Sequence, residues 1–234
     1  MDITIRDAAQ RLNVSEPRVR QLLRAGDLRG RRLGRAWLID ADDVARLQSQ
    51  RRPTGRPLGP KRAWALIDLM SGGKAPWLSY SERSQVRGLA RSLNPQDADQ
   101  WRGTLRGRTE LRPVQAHPAA VARLARSDGA LLTGPAEAMR RGFDLVASGR
   151  QRAEIYLHFD EWDSLAHSLA LRPSHEGNLL IRHPMVVWPF DGREIVPDAA
   201  IAADLLNSPE PRVIRAGELA LNELLKRFQE ELAR

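Results

Sequence analysis

Arg18 and Gln21 stand three residues apart, and Arg20 and Arg24 four apart, in the run Glu16-Pro17-Arg18-Val19-Arg20-Gln21-Leu22-Leu23-Arg24-Ala25. On a helix, side chains at those spacings share a face. Val19, Leu22 and Leu23 supply an apolar stripe, which leaves Pro17, Arg18, Arg20, Gln21 and Arg24 outside. The chemistry open to such a face is recognition of double-stranded DNA. Arginine pairs with guanine, and glutamine with adenine, in two-pronged geometry. Arg20 and Arg24 suit phosphates flanking a major groove. Ser15, directly before the run, and the helix N-terminal amides suit one more phosphate. Glu16 is the exception, because its carboxylate repels phosphate; it is left to a cytosine amino group or to solvent.

The elements that must position this face are legible around it. Thr4 with Asp7 reads as a capping box opening a helix whose inner side is Ala8, Ala9 and Leu12. Asn13 ends it and Val14 turns inward. Ser15 stands at the next N-cap, Pro17 in the first turn, and Gly26 at the stop. Arg31-Arg32-Leu33, a turn at Gly34-Arg35 and Ala36-Trp37-Leu38-Ile39 read as a hairpin, with Arg31, Arg32 and Arg35 placed to reach the DNA backbone or minor groove. Asp40 is expected to cap a third helix carrying Val44 and Leu47. Two short helices and a tight turn of this kind present the second helix to the major groove.

Charge follows the same division. The 234 residues hold 37 Lys+Arg and 29 Asp+Glu, a net charge of +8. Residues 1–62 hold 15 basic and 7 acidic residues, and the remainder balances, so the whole excess lies in the first quarter of the chain. A compact basic module on a neutral body is the footprint of a nucleic-acid binder. No cysteine occurs, which excludes disulfides, thiolate metal sites and a cysteine nucleophile. No apolar run approaches the ~18 residues of a membrane helix, and Met1-Asp2-Ile3-Thr4 lacks the order of a secretory signal. A cytoplasmic protein without membrane contact is the expectation.

Residues 51–60, with Arg51, Arg52, Pro53, Gly55, Arg56, Pro57, Gly59 and Pro60, read as a basic linker. Gly55-Arg56-Pro57 is similar to an AT-hook core, but Leu58 replaces the basic residue a hook needs, and a plain tether is the simpler reading. Helices are expected around Trp64–Met70, from the Ser79/Glu82 capping box to Leu93, and around Trp101–Leu105. Strands are expected at Glu110–Gln115, Ala130–Thr133, Ala153–Phe159 and Asn178–Arg182. Helices fall at Pro118–Arg126, Pro135–Gly142, Glu161–Leu169, Ala199–Leu206 and from Pro211 onward.

Catalytic constellations are sparse in this body. Ser71-Gly72-Gly73-Lys74 lacks the first glycine of a phosphate loop and has Ala75 where Ser or Thr belongs. His158-Phe159-Asp160-Glu161-Trp162-Asp163 groups one histidine with three acids, and reads better as a strand end followed by a helix capped by Asp160. His117 and His183 each precede a proline, which suits turns; His167 and His175 show no ligand spacing. The pattern points away from an enzyme, a metal site and a cofactor.

Ile5-Arg6-Asp7-Ala8-Ala9-Gln10-Arg11-Leu12-Asn13-Val14-Ser15, followed by Val19–Gly26, Leu28 and Arg32-Leu33-Gly34-Arg35-Ala36-Trp37-Leu38-Ile39, resembles the excisionase-type, MerR-like winged helix-turn-helix. That resemblance covers residues 3–48 and implies sequence-specific DNA binding. The body resembles AbiEi-type antitoxins between about residues 110 and 225: Leu131-Leu132-Thr133-Gly134-Pro135-Ala136, Tyr156-Leu157-His158, Leu179-Leu180-Ile181-Arg182 and Asp204-Leu205-Leu206 through Pro211-Arg212 stand where that family has its "S-G" step, aromatic-ended strand, later strand and "D-L-L" helix. The resemblance implies an antitoxin that represses its own operon beside a nucleotidyltransferase-like toxin.

The expected architecture is therefore α+β: a winged helix-turn-helix over residues 1–50, a basic Pro/Gly linker over 51–60, and a larger mixed α/β domain over 61–234. Ser15, Pro17, Arg18, Arg20, Gln21, Arg24, Arg31, Arg32 and Arg35 are the expected DNA-binding residues. The expected partner is operator DNA with an inverted repeat, bound by a homodimer. An excisionase-like architectural factor and a DNA-targeted enzyme are the alternatives.

Overall fold

The computed structural model describes residues 2–12, 14–34, 36–41, 43–44, 58–97, 99–127, 129–145 and 152–234. The chain divides into two units, Met1–Pro53 and Thr54–Arg234. Both helices and strands build each of them, so the class is α+β.

The first unit runs β1 (Asp2–Thr4), α1 (Ile5–Arg11), α2 (Glu16–Ala25), β2 (Gly30–Leu33) and β3 (Ala36–Asp40). Thr4 ends the strand and caps the helix: its hydroxyl accepts from Asp7 N and the Asp7 carboxylate accepts from Thr4 N, both at 3.2 Å. The Thr4 hydroxyl, 2.7 Å from Asp7 Oδ2, and then the Thr4 backbone N–H hold the Asp7 carboxyl below its ordinary value. Ala8, Ala9 and Leu12 are buried against Val19, Leu22, Leu28 and Ile39, with Val14 packed on their edge. Gly26 closes α2 at φ +78, a conformation that suits a residue without Cβ. The hairpin gains a strand that the local pattern does not announce. Ile3 lies opposite Ile39, and the sheet order is β1-β3-β2. Ala41, Asp43 and Val44 are helical where a third helix is expected, and Val44 is buried. Asn13, Leu47 and residues 51–57 lie outside the described residues.

The second unit runs α3 (Pro60–Met70), α4 (Tyr80–Ser92), α5 (Asp99–Thr104), β4 (Thr109–Gln115), α6 (Pro118–Leu124), β5 (Leu131–Thr133), α7 (Gly134–Arg140), β6 (Ala153–Tyr156), α8 (Trp162–Ser168), β7 (Arg172–Pro173), β8 (Leu179–Pro184), α9 (Asp198–Leu205) and α10 (Pro211–Ala233). Its sheet has the order β5-β6-β8-β4-β7. β6 and β8 run parallel, with Ile155 opposite Ile181, and the other neighbours are antiparallel. One face buries Val114, Ile155, Leu157, Leu179 and Ile181 under Leu124 and Leu171. The other face sets Tyr156 against Trp64 and Phe190, rings 5.7 and 4.7 Å away. Residues Ala63–Met70 of α3 and Ala199–Leu205 of α9 are buried throughout. A helix apolar on all sides belongs inside a layer rather than on it. α10 closes on α9 at Gly217, where a Cβ would stand 2.6 Å from Ala202 O.

Three local expectations change. β6 ends at Tyr156, the last residue with partners on both sides, Leu131 of β5 and Arg182 of β8. His158 then caps a 3₁₀ turn, Phe159–Glu161, its Nδ1 accepting from Asp160 N at 3.4 Å, and α8 begins at Trp162. Asp160 therefore sits inside that turn and does not cap the helix. His183 is not at a turn: it lies in β8 opposite Glu110, fully buried. The proline after it is the last residue of the strand, where a missing N–H breaks no ladder.

Candidate nucleic-acid interface

α2 starts at Ser15, whose φ/ψ of −73/151 is that of an N-cap, yet the hydroxyl makes no capping bond. The local chain explains how this helix stands: Pro17 fills the first turn, Val19 and Leu22 fasten it to α1, and Leu23 is half-buried. A Cβ on Gly30 would meet Leu23 Cδ2 at 2.8 Å and Trp37 Cε3 at 3.5 Å, so the missing side chain lets α2 and the hairpin pack together. A clamp holds the connection between them. Arg29 lays Nε and Nη2 on the two oxygens of buried Asp43 at 3.0 Å each, and its backbone N adds a bond of 2.8 Å. Sequence reading did not single out Arg29 or Asp43; their spacing of fourteen residues carries no periodic signal.

The expected contact residues fall as follows. Ser15, Pro17, Arg18, Arg20, Gln21 and Arg24 are all exposed. Two pairs form among the helix side chains. Arg18 Nη1 donates to Gln21 Oε1 at 3.0 Å, and Arg20 Nη2 reaches Glu16 Oε2 at 3.1 Å. Glu16 thus faces Arg20 and offsets its charge. Arg31 and Arg32 are exposed on β2, opposite Leu38 and Trp37 of β3, and as successive strand residues they leave on opposite sides. Gly34 forms the tip at φ +61. Arg35 lies outside the described residues.

In the second unit the segments shared with the antitoxin pattern converge on one buried carboxylate. Asp204 Oδ1 accepts from Arg108 Nη2 and from the Tyr156 hydroxyl at 2.7 Å each, with Arg182 Nη1 at 3.2 Å. Asp204 Oδ2 accepts from Thr133 Oγ1 at 2.6 Å. Arg182 also donates from Nε to Glu154 at 2.8 Å and from Nη1 to Asn207 at 3.2 Å. Burial, reinforced by the Asp204 carboxylate, pushes the Tyr156 phenol well above its usual range and keeps it a donor. Gly134 belongs to the same knot, because a Cβ there would overlap the Glu154 carboxyl at 2.6 Å. Arg108, Thr133, Tyr156, Arg182 and Asp204 form a buried structural lock, with Glu154 and Asn207 at its edge.

The catalytic candidates have structural employment. Ser71-Gly72-Gly73-Lys74 follows α3 rather than preceding a helix, and Asp68 Oδ2 accepts from Ala75 N at 2.8 Å where a phosphate would need that loop's amides. Burial lowers the His183 pKa, and its Nδ1 lies 3.0 Å from Leu157 O. Among the described residues no group of three or more His, Asp or Glu is placed to hold a metal ion, and no helix is long and apolar enough to cross a membrane.

Residues 3–52 match a helix-turn-helix domain, and residues 94–226 match the family described as transcriptional regulator, AbiEi antitoxin, of type IV toxin–antitoxin systems. No curated protein and no solved structure matches the chain. Both matched families are regulators rather than enzymes. With an outward arginine-bearing helix at one end and more than half of its length in the second match, the chain is a DNA-binding antitoxin and belongs to the AbiEi family of transcriptional regulators.

Proposed function

We propose that residues 1–50 bind the operator of the chain's own operon and repress it, and that residues 61–234, tethered through 51–60, oppose a nucleotidyltransferase-like toxin. The observation that carries the first half is the exposed row Arg18, Gln21 and Arg24 on α2, in the quarter of the chain that holds its whole positive excess. Arg18 and Gln21 read base edges; Ser15, Pro17, Arg20, Arg24, Arg31, Arg32 and Arg35 line the phosphates on either side. One such module reads a short half-site, so two copies act as a homodimer on an inverted repeat. The body opposes the toxin without catalysis or cofactor, and the protein works in the cytoplasm, beside the DNA it controls.

The test separates the two halves. The full chain should bind the duplex upstream of its gene roughly 10³-fold more tightly than a scrambled duplex at one fixed salt concentration. Arg18→Ala should cut that affinity about tenfold or more. The same variant should still rescue cells from the neighbouring toxin. Equal affinity for both duplexes overturns the operator reading, and loss of rescue with the fold intact overturns the division of labour.

A further inference from the structure

The exposed side of α2 carries two side-chain groups able to accept a hydrogen bond, the Gln21 amide oxygen and the Glu16 carboxylate, and each already accepts one from an arginine of the same helix. The remaining polar side chains there, Arg18, Arg20 and Arg24, only donate. A two-pronged contact to adenine needs the oxygen and the nitrogen of one amide presented together, to N6 and N7. With Oε1 already accepting from Arg18 Nη1 at 3.0 Å, the amide NH₂ is the part of Gln21 left without a partner in the helix. Arg18 keeps its Nε/Nη2 edge open, which is a two-pronged donor matched to guanine O6 and N7. The pair thus sets the Arg18 guanidinium and the Gln21 NH₂ side by side as neighbouring donors.

We infer that the Arg18–Gln21 pair reads a guanine next to a second base carrying a major-groove carbonyl, guanine or thymine, and discriminates against adenine there. This rests on α2 being the reading helix, and it replaces the glutamine–adenine contact expected from residue types alone. The coupling has a distinctive signature. Removing Arg18 releases Gln21 Oε1, so the base preference at the Gln21 position changes although Gln21 itself is untouched.

The experiment measures binding of the full chain to every single-base-pair variant of the upstream duplex, for wild type, Arg18→Ala, Gln21→Ala and Gln21→Glu. Wild type should favour guanine at one base pair and guanine or thymine over adenine at its neighbour, by about tenfold. Gln21→Ala should erase the second preference alone. Arg18→Ala should erase the first and move the second toward adenine. Should Arg18→Ala bind too weakly to profile, Gln21→Glu, which cannot donate, should turn against guanine and thymine at the second position. A wild-type preference for adenine at the base pair that Gln21→Ala affects overturns the inference and leaves the reading helix standing. Base preferences that survive every substitution, or binding without sequence preference, overturn the reading helix and the inference together.

Discussion

Asp204 shows how a single buried carboxylate becomes tolerable. Each of its oxygens has a donor within 2.7 Å, and two guanidinium groups face it. Removing it leaves the buried Arg108 without its carboxylate and Arg182 with Glu154 alone. Asp204→Ala should therefore cost about 3–5 kcal/mol, the usual penalty for breaking a buried pair from one side. Thr133→Val, which deletes one neutral donor, should cost about 1 kcal/mol. Urea unfolding followed by tryptophan fluorescence checks both, since Trp64 packs on Tyr156. A loss below about 1 kcal/mol for Asp204→Ala would mean that solvent reaches the site. At this scale the exposed side of α2 was largely legible. The 3.6-residue period placed Arg18, Arg20, Gln21 and Arg24 outside, and they are outside. Their mutual pairing was hidden, because periodicity assigns a face but not a rotamer. The Asp204 knot was equally hidden in its chemistry: Thr133 and Asp204 are separated by 71 residues, and only the fold joins them.

Helices and strands were legible where their ends carry their own chemistry. The Thr4/Asp7 and Ser79/Glu82 boxes both form, with reciprocal bonds, and start α1 and α4 where the residue types say they should. The elements that escaped are those defined by a partner. β1 has three residues and β7 two, and each exists because a neighbouring strand offers its edge. α10 and α9 add a case in which an ordinary rule reverses. Glycine inside a helix normally costs about 1 kcal/mol relative to alanine. At Gly217 a methyl group would press on Ala202 O at 2.6 Å and Leu205 Cβ at 2.8 Å. Gly217→Ala should therefore destabilise the body by about 1–3 kcal/mol, as overpacking does. A calorimetric melting temperature at or above that of wild type would show that the two helices have room to part.

At the scale of the whole molecule, residues 1–62 carry all of the +8 net charge and residues 63–234 balance. Even within the module the positive field is trimmed. Glu16 offsets Arg20, whose neighbour one turn on is Arg24. Glu16→Gln should release Arg20, raise affinity for any duplex, and steepen the dependence of log K on log salt by about 0.9, the value of one more phosphate contact. Titrations across a salt series measure that slope directly. An unchanged slope with weaker specific binding would place Glu16 on a base instead. A steeper slope would mean that the pair holds non-specific binding down, which favours a regulator that must find one site among many.

Arg18, Gln21 and Arg24 contribute nothing to the apolar cluster of Ile3, Leu12, Val19, Leu22 and Ile39, and the Arg29–Asp43 clamp holds the hairpin without them. Exposed positions of this kind tolerate exchange within about 0.5 kcal/mol. On the proposed reading, duplicated copies of the gene can therefore part company by one or two substitutions on α2, each silencing its own promoter and ignoring its sister's, while descent leaves the scaffold beneath them alone.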